Sequence, residues 1–124
     1  MLLLLTINVA KLQSELERIR DESGLFGNIL SSDEGLVIID AINLENYDST
    51  LISAMAASMI TENHFGFSNP NEIILSYDTE RIIINKFYIQ KKDVELLLIS
   101  IIPPVMRYFK RCLNKSIKLV NKIF

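Results

Sequence analysis

The stretch Val94–Ile102 carries Val94, Leu96, Leu97, Leu98, Ile99, Ile101 and Ile102 at odd and even positions alike. Side chains of a strand alternate between its two faces, so a strand that is apolar at both parities has to be covered on both. It is therefore predicted to lie at the centre of a sheet, with strands on either side and other elements packed above and below. Two strands are expected just before it, Glu72 to Tyr77 and Arg81 to Gln90, separated by the turns Asp78-Thr79 and Lys91-Lys92-Asp93. Two more form a hairpin, Leu25 to Ser31 and Leu36 to Ala41, joined by Ser32-Asp33-Glu34-Gly35.

The elements that cover this sheet are helical. Leu5, Val9, Leu12, Leu16 and Ile19 recur at spacings of four and three, which predicts an amphipathic helix ending near Ser23-Gly24. A second helix is capped by Asp48 or Ser49 and runs to about Phe65-Gly66, with Asn69-Pro70-Asn71 blocking any continuation. A third starts at Pro103-Pro104 and runs to the C-terminus, with Val105, Phe109, Cys112, Leu119 and Ile123 as its buried stripe. The order is α-β-β-α-β-β-β-α. An α+β sandwich, a five-stranded antiparallel sheet between helices, buries every stripe at once. At 124 residues the chain is read as one domain over 1–124, large enough to bury roughly two-thirds of its unfolded surface.

Several function classes lack their residues. The single histidine, His64, has no second histidine or cysteine cluster to complete a zinc site, and is read as a surface residue at a helix end. Neither G-x-x-x-x-G-K-[ST] nor G-x-G-x-x-G occurs, so no phosphate cradle, and no nucleotide or other cofactor, is expected. Cys112 reads as a small core hydrophobe, Asp33-Glu34 as a solvated turn, and Arg81, Lys86, Lys91 and Lys92 as protection of a sheet edge. A non-enzymatic role follows as the expectation. A lone cysteine makes no intramolecular disulfide, and Met1-Leu2-Leu3-Leu4-Leu5 lacks the basic flank and cleavage site of a secretion signal. The expected location is the cytoplasm, with no integral membrane segment.

Charge is unevenly spread. Residues 1–80 hold 3 Lys/Arg against 13 Asp/Glu, and residues 81–124 hold 10 against 2, within a net charge of −2. Nucleic-acid or anionic-membrane binding through the basic last helix is the rival this raises. The cations are not interleaved with exposed aromatics, and the sequence pI of about 5.4 speaks against it, so no nucleic-acid partner is expected.

Three stretches resemble the roadblock/dynein light-chain family. Leu25 to Ile38 is similar to its first hairpin, although Glu34 is inserted between Asp33 and Gly35 of the turn. Leu51-Ile52-Ser53-Ala54-Met55-Ala56-Ala57-Ser58-Met59 is similar to its Ala/Met-rich second helix, and Ile82-Ile83-Ile84 to Ile89 to its long fourth strand. The resemblance implies a roadblock/profilin-like fold and a homodimer whose second helices lie side by side while the third strands pair at their edges. It further implies partnership with a Ras-like small GTPase, as scaffold or activating partner. The alternative is a longin- or profilin-like structural subunit of a trafficking or motor complex, without direct GTPase regulation.

The second helix favours self-association on its own account. Leu51, Ile52, Met55 and Met59 share one face, while Ser53, Ala57, Ile60 and His64 line the opposite one. Assigning the first face to the sheet leaves Ser53, Ala56, Ala57, Ile60 and His64, with Ile73 and Leu75 on the third strand, as the expected dimer interface. Ser58, Thr61, Glu62 and Asn63 are then the candidate GTPase-binding residues.

Overall fold

The computed structural model describes residues 9–42, 47–62 and 65–124. Its elements are α1 (Val9–Ser23), β1 (Gly27–Ser32), β2 (Val37–Ile42), α2 (Ser49–Thr61), β3 (Glu72–Ser76), β4 (Arg81–Ile89), β5 (Val94–Ile102) and α3 (Phe109–Ile123). All strand pairs are antiparallel, in the order β2-β1-β5-β4-β3. The doubly apolar strand is the central one, and every residue from Leu96 to Ile102 is buried.

The two parities of β5 feed two cores. Leu96, Leu98 and Ile102 lie under α1 and α3, with Leu12, Leu16, Leu113 and Val120 above them. Leu97 and Ile99 face the other way and pack with Ala56, Ala57 and Ile60 of α2. The sandwich is thus two helices on one face and one on the other, which leaves the single-helix face incompletely covered.

Local chemistry sets most boundaries where the sequence put them. Gly24 closes α1 at φ +75°, and Asp48 caps α2 by accepting the Leu51 N–H at 3.2 Å. The part of the first helix built on Leu5 lies outside the described residues. Two boundaries differ. α2 ends at Thr61: Glu62 turns to an extended backbone at φ −89° and ψ 129° while its N–H still donates to the Ser58 carbonyl at 3.1 Å, and of the expected continuation Asn63 and His64 lie outside the described residues. α3 begins at Phe109 instead of Pro103-Pro104. Pro104 disfavours a helical conformation for Pro103, and the Met106 N–H closes a turn onto the Pro103 carbonyl at 3.2 Å. The stripe shifts accordingly: Phe109, Leu113, Ser116 and Val120 are buried, Cys112, Leu119 and Ile123 are half-buried, and Val105 is exposed.

The edge-protection reading of Arg81, Lys86, Lys91 and Lys92 is also corrected. β4 has a neighbour on each side, so it has no edge to protect. Arg81 instead stacks its guanidinium 4.9 Å from the Phe109 ring centroid and donates to the Met106 carbonyl, while Lys86 pairs with Glu95 at 3.6 Å.

Candidate partner-binding surface

The two apolar faces of α2 are real, but their expected assignment is reversed. Ser53, Ala56, Ala57 and Ile60 are buried against the chain's own sheet, beside Ile29, Ile84, Leu97 and Ile99, and do not form an outward interface. The reason is steric. α2 lies so close to the β1–β2 turn that a Cβ on Gly35 would come within 3.0 Å of the Ala54 Cα and 3.1 Å of the Ser53 carbonyl oxygen. Where the turn approaches, at Ser53, Ala54 and Ala57, only small residues fit, and the Ser53 hydroxyl is there for its size, since it has no hydrogen-bond partner among the described residues. Leu51 and Met55 therefore stand outward, 55% and 56% exposed, with Ile52 and Met59 half-buried between them and the sheet.

Because α2 sits over β1, β2, β4 and β5, the edge strand β3 is left open beside it. A groove of about 170 Å³ runs there, walled by Ile52, Met55, Leu75, Tyr77 and Ile82. Met59 joins it to a larger hollow of about 440 Å³, lined by Phe65, Phe67, Pro70 and Ile73 with Glu62 at its rim. Ile73 and Leu75, assigned to an interface from the sequence, are half-buried on this trough. Just before α2, burial and the Glu80 carboxylate that accepts its hydroxyl push the Tyr47 phenol up from its ordinary pKa.

The two edges of the sheet are finished differently. On β2 the Asp40 carbonyl accepts from the Gln13 side-chain amide at 2.7 Å, and the Ile42 N–H donates to the Asp40 carboxylate at 3.2 Å. On β3 no side chain among the described residues bonds the backbone. One edge is capped from within the chain, and the other is left open by the described residues.

Of the residues assigned to a GTPase partner, Ser58, Thr61 and Glu62 are exposed; Asn63 lies outside the described residues, as does His64 of the expected dimer interface. The Ser58 hydroxyl donates to the Glu62 carboxylate at 2.8 Å, and that of Thr61 to the Ala57 carbonyl at 2.7 Å. Glu62 thus stands at the trough and Thr61 away from it, toward the hairpin side. The sequence reading missed Leu51, Met55, Met59 and Tyr77 as surface residues, and with them Phe65 and Phe67, both exposed. The spacing of Leu51, Met55 and Met59 was visible, but nothing in it says which of two apolar faces meets the sheet. Among the described residues no cluster of three or more His, Cys, Asp or Glu could hold a metal, and no helix is long and apolar enough to cross a membrane.

Compared with solved structures, the chain is similar to Myxococcus xanthus MglB, at a TM-score of 0.76 and 14% identity over 94% of this chain and 90% of that one. It is similar to an MglB with tetrameric arrangement, at 0.64 and 14% over 93% and 86%. A roadblock/LC7 domain from Streptomyces avermitilis matches at 0.55 and 13%, over 79% and 80%. The chain has the roadblock fold. No family model matches its sequence, and no curated protein is significantly similar to it. Within that fold the trough, the second helix and the open third strand form one continuous surface.

Proposed function

We propose that this chain is a non-enzymatic, cytoplasmic adaptor or regulator that pairs with a second copy of itself and offers the joined surface to a Ras-like small GTPase. The observation that carries the reading is the open apolar trough between α2 and the unpaired β3 edge of a roadblock fold. Leu51, Met55 and Tyr77 leave apolar surface in water beside a strand edge open to pairing, and an identical edge about a two-fold axis covers both at once. One of the solved structures of similar fold is an MglB with tetrameric arrangement, which supports self-association in a fold of this kind. The GTPase partner is supported by the resemblance of the first hairpin and second helix to the roadblock family.

A symmetric pair sets two α2 helices side by side, and their outer flanks, with Ser58 and Thr61 on each, become the partner platform. The test is a pull-down of the host's small GTPases in the GDP-bound and GTP-bound states, together with sedimentation of the chain alone. Thr61→Arg, remote from the trough, is expected to weaken GTPase capture by about tenfold or more while leaving self-association as it was. Unchanged capture places the partner elsewhere; no capture of any GTPase in either state removes the functional reading and leaves the fold.

A further inference from the structure

The outward face of α3 takes no part in the surface described above. Phe109, Leu113, Ser116 and Val120 point into the sheet. Directly opposite, within about 60° at 100° per residue, stand Arg111, Lys115, Lys118 and Lys122, a stripe about 16 Å long. All four are exposed, and α3 contains no acidic residue.

This arrangement opposes folding. Like charges at spacings of three and four repel along a helix, and Arg111 and Lys110 sit at the N-terminal end, where the helix dipole is already positive. Compensation is slight: Glu22 of α1 approaches Lys115 at 3.9 Å, and Glu15 faces Lys122 across the α1–α3 groove. Arg111, Lys118 and Lys122 have no carboxylate partner among the described residues. At the stripe's N-terminal end Arg107 is flanked by Val105 and Tyr108, 84% and 78% exposed.

We propose that this stripe is a docking surface for an anionic phospholipid membrane, on which α3 lies flat with its cations on the headgroups and Val105 and Tyr108 at their level. A straight row of flexible cations with apolar groups at one end matches the charge and the polarity step of such an interface. It offers no stacked aromatic rings for nucleic-acid bases. The net charge of −2 means that adhesion has to come from this face alone.

The test is co-sedimentation of the full chain with vesicles of phosphatidylserine and phosphatidylcholine at 3:7, against pure phosphatidylcholine, in 100 mM salt. Each surface cation contributes about fivefold to such binding. Lys118→Gln/Lys122→Gln is therefore expected to lose about 25-fold, whereas Lys91→Gln/Lys92→Gln, with the same charge change in the β4–β5 turn, stays within about twofold. Circular dichroism reports whether both remain folded, and raising the salt to 500 mM on the unmodified chain gives an independent loss of binding. No binding to the anionic vesicles overturns the proposal, as does equal loss in the two double variants. Tighter capture by duplex DNA than by vesicles overturns it too and assigns the stripe to nucleic acid.

Discussion

Replacing one residue on each face of α2 with arginine separates the two orientations of that helix. Ala57 is 5% exposed and packed with Ile29, Ile84, Leu97 and Ile99. Ala57→Arg overfills the core, at about 1–3 kcal/mol, and buries a guanidinium with no counter-charge, at several kcal/mol more. Against a total stability of roughly 5–15 kcal/mol this is enough to unfold the chain. Met55, already 56% exposed, is another matter. In a single chain Met55→Arg changes stability by no more than about 0.5 kcal/mol. In the proposed pair, burying the exposed half of one methionine side chain contributes about 0.8–1.5 kcal/mol, and two-fold symmetry counts it twice. Losing it weakens association about 10- to 100-fold, with like-charge repulsion across the axis adding to the loss. Sedimentation velocity from 1 to 100 µM, with circular dichroism on each sample, reads both effects. The expected outcome is unfolded or insoluble Ala57→Arg and folded, monomeric Met55→Arg. A folded, monomeric Ala57→Arg beside a still-paired Met55→Arg refutes the orientation and restores the small-residue face as the interface.

Two further predictions concern stability. Gly35 sits at φ +93° with the α2 backbone against it, so Gly35→Ala is expected to cost about 1–3 kcal/mol in a denaturant titration, and an unchanged midpoint would show that the turn and α2 are not in close approach. The Arg18 guanidinium, 2.6 Å from Glu15 and 3.1 Å from Glu22, holds the Glu15 carboxyl below its usual range. A depressed folded pKa contributes stability that is present above the ordinary carboxylate value and lost as pH falls through the depressed one. Arg18→Gln should therefore lower the thermal midpoint slightly at pH 7 and not at all at strongly acid pH; a gap that widens on acidification would contradict the linkage.

How much was legible depended on whether a pattern had one solution or two. Val94–Ile102 had one, because apolar residues at both parities force a covered strand, and the central position of β5 follows. Gly24 and Asp48 likewise mark helix ends by backbone chemistry that acts over a few residues. α2 had two solutions: with Leu51, Met55 and Met59 on one side and Ala57 and Ile60 on the other, hydrophobicity is nearly balanced. The choice is made by a long-range fact, the approach of the Gly35 turn, which only small residues admit. The start of α3 was misplaced for a related reason. Proline is compatible with a first helical turn, but two in succession favour an extended entry, and the helix begins where Phe109 meets Arg81, a strand-borne partner far away in sequence.

The unequal edges of the sheet bear on how large an assembly can grow. If β2 and β3 were both open, each chain could pair at two sides and edge-to-edge association would continue into a filament. Gln13 and Asp40 close one side: the Asp40 carbonyl and the Ile42 N–H are bonded within the chain, and the Asp40 carboxylate is further held by the Ser49 hydroxyl at 2.6 Å. In the proposed pair the contact is then confined to β3, and an isologous contact through one edge ends at two chains. Gln13→Ala with Asp40→Ala removes both bonds from β2 while touching no residue of the trough. The double variant is expected to form species larger than the unmodified chain does at the same concentration, visible as a rising weight-average mass in light scattering from 10 to 200 µM. Adding Met55→Arg should cap those species at two chains, joined through β2 alone. If the double variant instead shows the mass distribution of the unmodified chain, the side-chain bonds on β2 are incidental and something else limits pairing at that edge.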